Sequence, residues 1–114
     1  MIHVFIASAY GDHNDLATRE ANTKAAMTIW HRLADAGFAP FCPLLSHYLH
    51  EYNPRSRQHW LAQSLAWVER CDCVLAICNP SDGMRREMNR ALADCKPVFR
   101  SIEALAEAFG MEIP

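Results

Sequence analysis

Short apolar runs alternate along the chain with longer stretches in which apolar residues return every three or four positions. The first run, Ile2 to Ala7, suits a strand buried on both faces, and Ser8, Ala9, Tyr10, Gly11 and Asp12 follow it as a turn. Helical spacing then takes over. Ala21, Ala25, Ala26, Ile29, Trp30 and Leu33 predict a helix that starts at Asn14 or Asp15, either of which can cap it, and runs to Ala36, with Gly37 as its stop. Phe38 to Cys42 reads as a second, short strand closed by Pro43. From Leu44 to Pro54 the pattern is irregular and carries His47, Tyr48, His50, Glu51 and Tyr52, which suits a short helix and a loop crossing the top of a sheet. A further helix is expected from about Ser56 to Arg70, with Trp60, Ser64, Trp67 and Val68 on one side.

The stretch from Asp72 to Leu92 reads as buried strand, tight turn and helix. Cys73 to Cys78 is apolar, with Val74 and Ile77 supplying β-branched stiffness. Asn79, Pro80, Ser81, Asp82 and Gly83 form a cluster of breakers, and from Met84 the chain turns helical, with Met88, Ala91 and Leu92 at core spacing, ending near Asp94. A last short strand, PVF, and an amphipathic helix from Ile102 to Phe109, capped by Ser101 and stopped by Gly110, complete the series. Strands alternating with helices predict an α/β fold with parallel, right-handed crossovers. The expected architecture is one Rossmann-like or flavodoxin-like three-layer sandwich over residues 1–114. It has about four parallel strands in the order 2-1-3-4, and helices on both faces.

Composition narrows the chemistry. At 114 residues the chain is expected to form one domain with a modest core. The net charge of −2 and the lack of a basic run argue against a nucleic-acid polymer as partner. No apolar segment approaches the ~18 residues of a membrane span, and no leader precedes the first strand, so a cytoplasmic protein is expected. The five cysteines are irregularly spaced, and Cys71, Cys73 and Cys78 lie in or beside the central strand, where thiols act as small core residues. Without paired cysteine or histidine spacing no metal site is expected, and no cofactor.

Two loops carry candidate chemistry. A strand-to-helix turn such as Ser8-Ala9-Tyr10-Gly11 presents backbone N–H groups to an anion, although it lacks the glycine fingerprints of dinucleotide and phosphate loops. The second is Ser81, Gly83 and Glu87. Glu87 lies one turn into its helix, either pointing back into the crevice at the carboxyl edge of the sheet, where α/β folds bind ligands, or lying in solvent paired with Arg86 or Arg90. A capping box is excluded, because the residue three before Glu87 is Met84.

FIASAYG at positions 5–11, the helix with Arg19 and Asn22, LAWVERCD at 65–72 and SDGMRREMNRA at 81–91 together resemble the nucleoside 2-deoxyribosyltransferase superfamily. That superfamily includes related nucleotide N-glycoside hydrolases. The resemblance implies that Glu87 is the nucleophile attacking C1′ of the sugar. Tyr10 would line the pocket and orient the nucleophile or the sugar. Ser8, Ala9, Gly11, Arg19, Asn22, Ser81, Asp82 and Gly83 would bind substrate, a nucleoside or nucleoside 5′-monophosphate. It also implies a homodimer or higher homo-oligomer. One position departs from the pattern. Eight residues before Asp72 the family carries an acidic aspartate, and this chain has Ser64. A serine hydroxyl is a poor acid, and losing general acid help costs about 10²–10⁴-fold. Candidate substitutes are Asp82, Asp12, His13 and His59, with His47 and His50 also able to enter the pocket.

Two functions follow from these residues. One is cleavage or transfer of an N-glycosidic bond, which Glu87 favours. The other is a binding module for a nucleotide or an ADP-ribose-like ligand, which Ser64 favours. A third expectation assigns Trp60, Trp67, Tyr48 and Tyr52 to an oligomer interface.

Overall fold

A computed structural model describes residues 1–10 and 16–114. Gly11, with Asp12, His13 and the cap candidates Asn14 and Asp15, lies outside the described residues. Four strands form one parallel sheet: β1 (His3–Ala7), β2 (Ala39–Phe41), β3 (Cys73–Ala76) and β4 (Val98–Phe99), in the order β2-β1-β3-β4. The helices are α1 (Leu16–Asp35), α2 (Ser46–Tyr52), α3 (Arg57–Val68), α4 (Asp82–Ala93) and α5 (Ile102–Phe109), with a single 3₁₀ turn at Pro43–Leu45. This is the expected Rossmann-like or flavodoxin-like fold, in the expected strand order.

The two-residue period of a strand divides the core. Val4, Ile6, Cys73 and Leu75 face one way and pack with Ala26 and Leu33 of α1 and with Ile102 and Leu105 of α5. Phe5, Ala7, Val74 and Ala76 face the other way, against Val68, Cys71, Met84 and Ala91 from α3, the turn after it and α4. The inner strands β1 and β3 are therefore apolar almost throughout, because both of their faces are covered. Ordinary end chemistry closes the helices. Ser56, Ser81 and Ser101 each accept a backbone N–H in the first turn of α3, α4 and α5. Gly37 (φ +97°) and Gly110 (φ +65°) take the left-handed conformation that ends α1 and α5. Lys96 donates to the Val68 carbonyl (3.0 Å) and the Glu69 carbonyl (2.6 Å), which fastens the C-terminal end of α3 beside β3.

Two expectations are corrected in detail. The helix after the central strand begins at Asp82 rather than Met84, because Ser81 accepts the Met84 N–H (3.2 Å) and draws Asp82 and Gly83 into the first turn. Leu92, expected at a core position, is 59% exposed: the inward face of α4 runs through Met84, Glu87 and Ala91, and the next residue lies about 100° further round the helix. On α1, Ala21 and Ala25 are exposed, and the buried positions are Thr23, Ala26 and Leu33. Thr23 enters the core because its hydroxyl bonds the Arg19 carbonyl (2.9 Å), leaving its methyl to pack.

The core assignment has a direct consequence for stability. Leu75→Ala, in a fully buried strand, should lower unfolding free energy by about 2–5 kcal/mol, whereas Leu92→Ala should change it by less than ~0.5 kcal/mol. Urea titrations of both variants check this; equal losses would contradict the assigned face of α4.

Candidate active site

Strand order places the site. The chain leaves β1 toward β2 on one side and β3 toward β4 on the other, so a crevice opens beyond the carboxyl ends of the adjacent strands β1 and β3. Ser8, Ala9 and Tyr10 follow β1, and Ser81, Asp82 and Gly83 lie beyond β3 at the start of α4. These six residues line one cleft of about 800 Å³, together with Arg19, Ser64 and Glu87. A side chain at Gly83 would meet nothing within 4 Å, so glycine there leaves room in the cleft rather than relieving a clash. Asn22 is not among the lining residues. It stands behind them and donates to the Tyr10 carbonyl (3.2 Å), holding the loop that carries the tyrosine.

Glu87 is only 7% exposed. The two arginines that could have held it at the surface are engaged elsewhere. Arg86 meets Asp82 (3.4 Å), and Arg90 pairs with Glu69 of the turn after α3. Burial pushes the Glu87 carboxyl up to about 8, and a hydrogen bond from Ser64, across on α3, opposes that rise. Ser64 thus stands against the nucleophile candidate, and its hydroxyl is a donor to the carboxylate form. Ser81 lines the cleft while its oxygen caps α4.

The irregular segment supplies the opposite wall. Pro43, Leu44, Ser46, His47, His50, Arg55, Arg57, Trp60 and Leu61 complete the lining. His50 Nδ1 accepts from the Trp60 indole N–H (2.8 Å) and from the Arg55 backbone N–H (3.2 Å). That network assigns the proton of the neutral His50 ring to Nε2. Trp60 therefore belongs to the cleft wall, although the sequence had suggested an interface. Trp67 instead stacks on Phe41 (centroids 4.7 Å apart), and Tyr48 and Tyr52 are exposed on α2. His59 sits beside Trp60 without lining the cleft. Arg55 escaped the sequence reading because it follows a proline between regular elements, and Arg57 because it opens a helix, where too little periodicity precedes it to say which way its side chain faces.

Three arginines thus line the cleft against two carboxyl groups, Asp82 and Glu87. Arg19 lies over the Tyr10 ring (5.6 Å to its centroid), and Arg57 meets Asp82 (3.6 Å). With Glu87 neutral at pH 7, the lining carries net positive charge on a chain whose total is −2. Among the described residues no cluster of potential metal ligands occurs, and no helix is long and apolar enough to cross a membrane. The cysteines are all free, and burial raises the thiols of Cys42, Cys71 (to about 11) and Cys73 (to about 12), so these three are packing groups.

The profile of DUF7768, a domain of unknown function, matches residues 2–101. The chain belongs to the DUF7768 family. No curated protein matches it. Among solved structures, the fold is shared with a 2-deoxyribosyltransferase from Leishmania mexicana, at a TM-score of 0.59 and 16% identity over 86% of this chain. It is shared also with a 2-deoxyribosyltransferase from Bacillus psychrosaccharolyticus, at 0.57 and 19% identity over 84%. The DUF7768 chain covers 62% of the first of these proteins and 69% of the second. At these identities the likeness is one of fold.

The displaced titration of Glu87 couples to folding. Its carboxyl titrates near 8 when folded and near ~4.3 when unfolded. Between those values the native state holds a proton that the unfolded state has lost, so stability falls as pH rises through the window. Glu87→Gln lacks this penalty. Relative to wild type its stability should rise by roughly 3–5 kcal/mol between pH 5 and pH 9, a slope of ~1.4 kcal/mol for each pH step of one within that window. Melting curves at both pH values test it; a difference independent of pH would mean that Glu87 is already ionised at pH 5.

Proposed function

We propose that the protein cleaves or transfers the N-glycosidic bond of a nucleoside or nucleoside 5′-monophosphate, with Glu87 as the nucleophile. The observation that carries this reading is a buried carboxyl lining a roomy cleft at the carboxyl edge of the sheet, with a hydroxyl donor, Ser64, set against it. A glycosidic bond breaks through an oxocarbenium-like state, and a carboxylate at C1′ traps that state as a glycosyl-enzyme. Water then releases the sugar, or a second base accepts it. Neither step asks for a metal or a cofactor. The fold shared with two 2-deoxyribosyltransferases supports the same chemistry.

Most roles follow from position. Ser8, Ala9 and Ser81 hold the anionic end of the substrate; Asp82 and Gly83 border it; Arg19 and Asn22 support the loop of Tyr10. The resemblance alone adds Gly11 to the group at the anionic end. The arginines favour the phosphorylated form, since guanidinium groups bind phosphate through charge-assisted hydrogen bonds. The protein acts as a homodimer or higher homo-oligomer, for which Tyr48, Leu49 and Tyr52, exposed beside the cleft on α2, offer an apolar face.

The other reading, a nucleotide-binding module without turnover, is favoured by Ser64, which cannot give the departing base a proton. A panel of nucleosides and nucleoside 5′-monophosphates, followed by chromatography for free base, separates the two. Base should be released by the wild type and not by Glu87→Gln, and the rising limb of the pH–rate profile should follow formation of the Glu87 carboxylate near 8. A ligand that raises the melting temperature without base release would instead identify a binder. The arginines make a separate prediction. Joint replacement of Arg55 and Arg57 by alanine should lower kcat/KM for 5′-monophosphates by about 10–100-fold, the roughly 1.5–3 kcal/mol of one charged hydrogen bond to phosphate supplied between them, and leave that for nucleosides within about threefold. Equal losses on both substrates would place the phosphate elsewhere.

A further inference from the structure

The proposed chemistry leaves one proton unassigned, and a second cluster in the cleft wall can supply it. His47 of α2 is 1% exposed, an unusual depth for a histidine on a seven-residue helix whose neighbours Tyr48 and Leu49 lie open to solvent. Its Nδ1 forms a short hydrogen bond with the Tyr10 hydroxyl, and the two rings meet edge to face (centroids 5.5 Å apart). Its Nε2 has no hydrogen-bond partner among the described residues, and Glu51 Oε1, one helical turn on, stands 3.5 Å away. Glu51 is itself 45% exposed. A buried ring nitrogen left short of a hydrogen bond is costly, and such groups persist where function uses them. His50, in the same wall, differs: two donors already occupy its Nδ1. The His47 ring is the one joined directly to a hydroxyl that lines the cleft.

Resting on the N-glycosidase reading, we propose that Tyr10 and His47 together replace the missing carboxyl acid, with Tyr10 as the catalytic residue and His47 and Glu51 as positioning residues. The step balances as follows. As the C1′–N bond breaks, its electron pair passes to the base, and the Tyr10 hydroxyl gives that base its proton. The His47 imidazolium transfers its Nδ1 proton to the Tyr10 oxygen and ends neutral, keeping the Nε2 proton toward the Glu51 carboxylate. In the second half-reaction the attacking water, or the N–H of an incoming base, gives a proton to Tyr10 as its oxygen or nitrogen bonds C1′. Tyr10 passes its own proton back to Nδ1, and the imidazolium is restored. The acid of the first step is the base of the second, as microscopic reversibility requires in retaining glycosyl transfer. Glu51 Oε1, 3.5 Å from Nε2, stands where it can receive that N–H once the ring carries both protons.

Leaving-group chemistry tests this without relying on overall activity alone. Guanine departs from guanosine 5′-monophosphate only with a proton. The base of 7-methylguanosine 5′-monophosphate already carries a positive charge and departs without one. His47→Asn keeps an amide near the place of Nδ1 but cannot carry the proton. It should lose about 100-fold or more on the first nucleotide and less than about threefold on the second. Tyr10→Phe should show the same selectivity. Glu51→Gln, at a half-exposed position that folding tolerates, should show it more weakly. Equal losses on the two nucleotides, or no loss on either, would overturn the proton role and leave the N-glycosidase reading intact. Failure of the wild type on both nucleotides and on the wider panel would remove that reading, and the proton role with it.

Discussion

A parallel sheet must cover both of its faces, and that constraint organises this molecule. β1 and β3 can be apolar on nearly every residue only if helices shield them on each side. Those helices must enter and leave at the sheet ends. The turns that follow β1 and lead into α4 therefore meet at one edge, and the side chains they carry have nowhere to go but the crevice between them. Glu87 is buried for the same reason that Met84 and Ala91 are. All three lie on the face of α4 that packs inward, and Glu87 falls where that face passes the crevice. The fold's need for an inward face and the site's need for a desolvated carboxyl are met by one helix.

Desolvation then sets the electrostatics. A carboxyl titrating near 8 is neutral in the resting protein at neutral pH, so the cleft presents its arginines with little opposing charge. An anionic ligand is attracted to that field. Once bound, it excludes water and strengthens each remaining interaction. Ser64 moderates the effect, since its hydrogen bond favours the carboxylate and lowers the cost of ionisation. An aspartate in its place would oppose that ionisation by like charge. The serine therefore eases ionisation of Glu87, and on the proposed reading the acid comes from another wall of the cleft.

Most of the architecture was legible in the sequence because it follows from periodicity. Unbroken apolar runs marked β1 and β3, helical spacing marked α1, α3, α4 and α5, and the serines and glycines at their ends marked the boundaries. Errors fell where a local bond overrode the pattern. The Ser81 cap moved the start of α4, and the back-bonded Thr23 took a core place on α1 that no apolar pattern marks. In the site, Ser64 and the role of Tyr10 came from the family resemblance, whereas Glu87 and the two serine-bearing turns could be named in advance because they are tied to regular elements. Arg55, Arg57 and the depth of His47 could not, since they belong to the stretch between Pro43 and Arg57, where no period relates position to direction.

That stretch is where this chain acquires its individuality. The sheet and α4 supply a buried carboxyl in a cleft, an arrangement this fold can build. The wall formed by residues 43–57 adds Arg55, Arg57, His47 and His50 to the lining. His47 illustrates how such a wall can carry chemistry on very little regular structure. A short helix buries the ring, the Tyr10 hydroxyl fixes one nitrogen, and Glu51 on the next turn faces the other. The ring is thereby oriented by contacts from two separate segments.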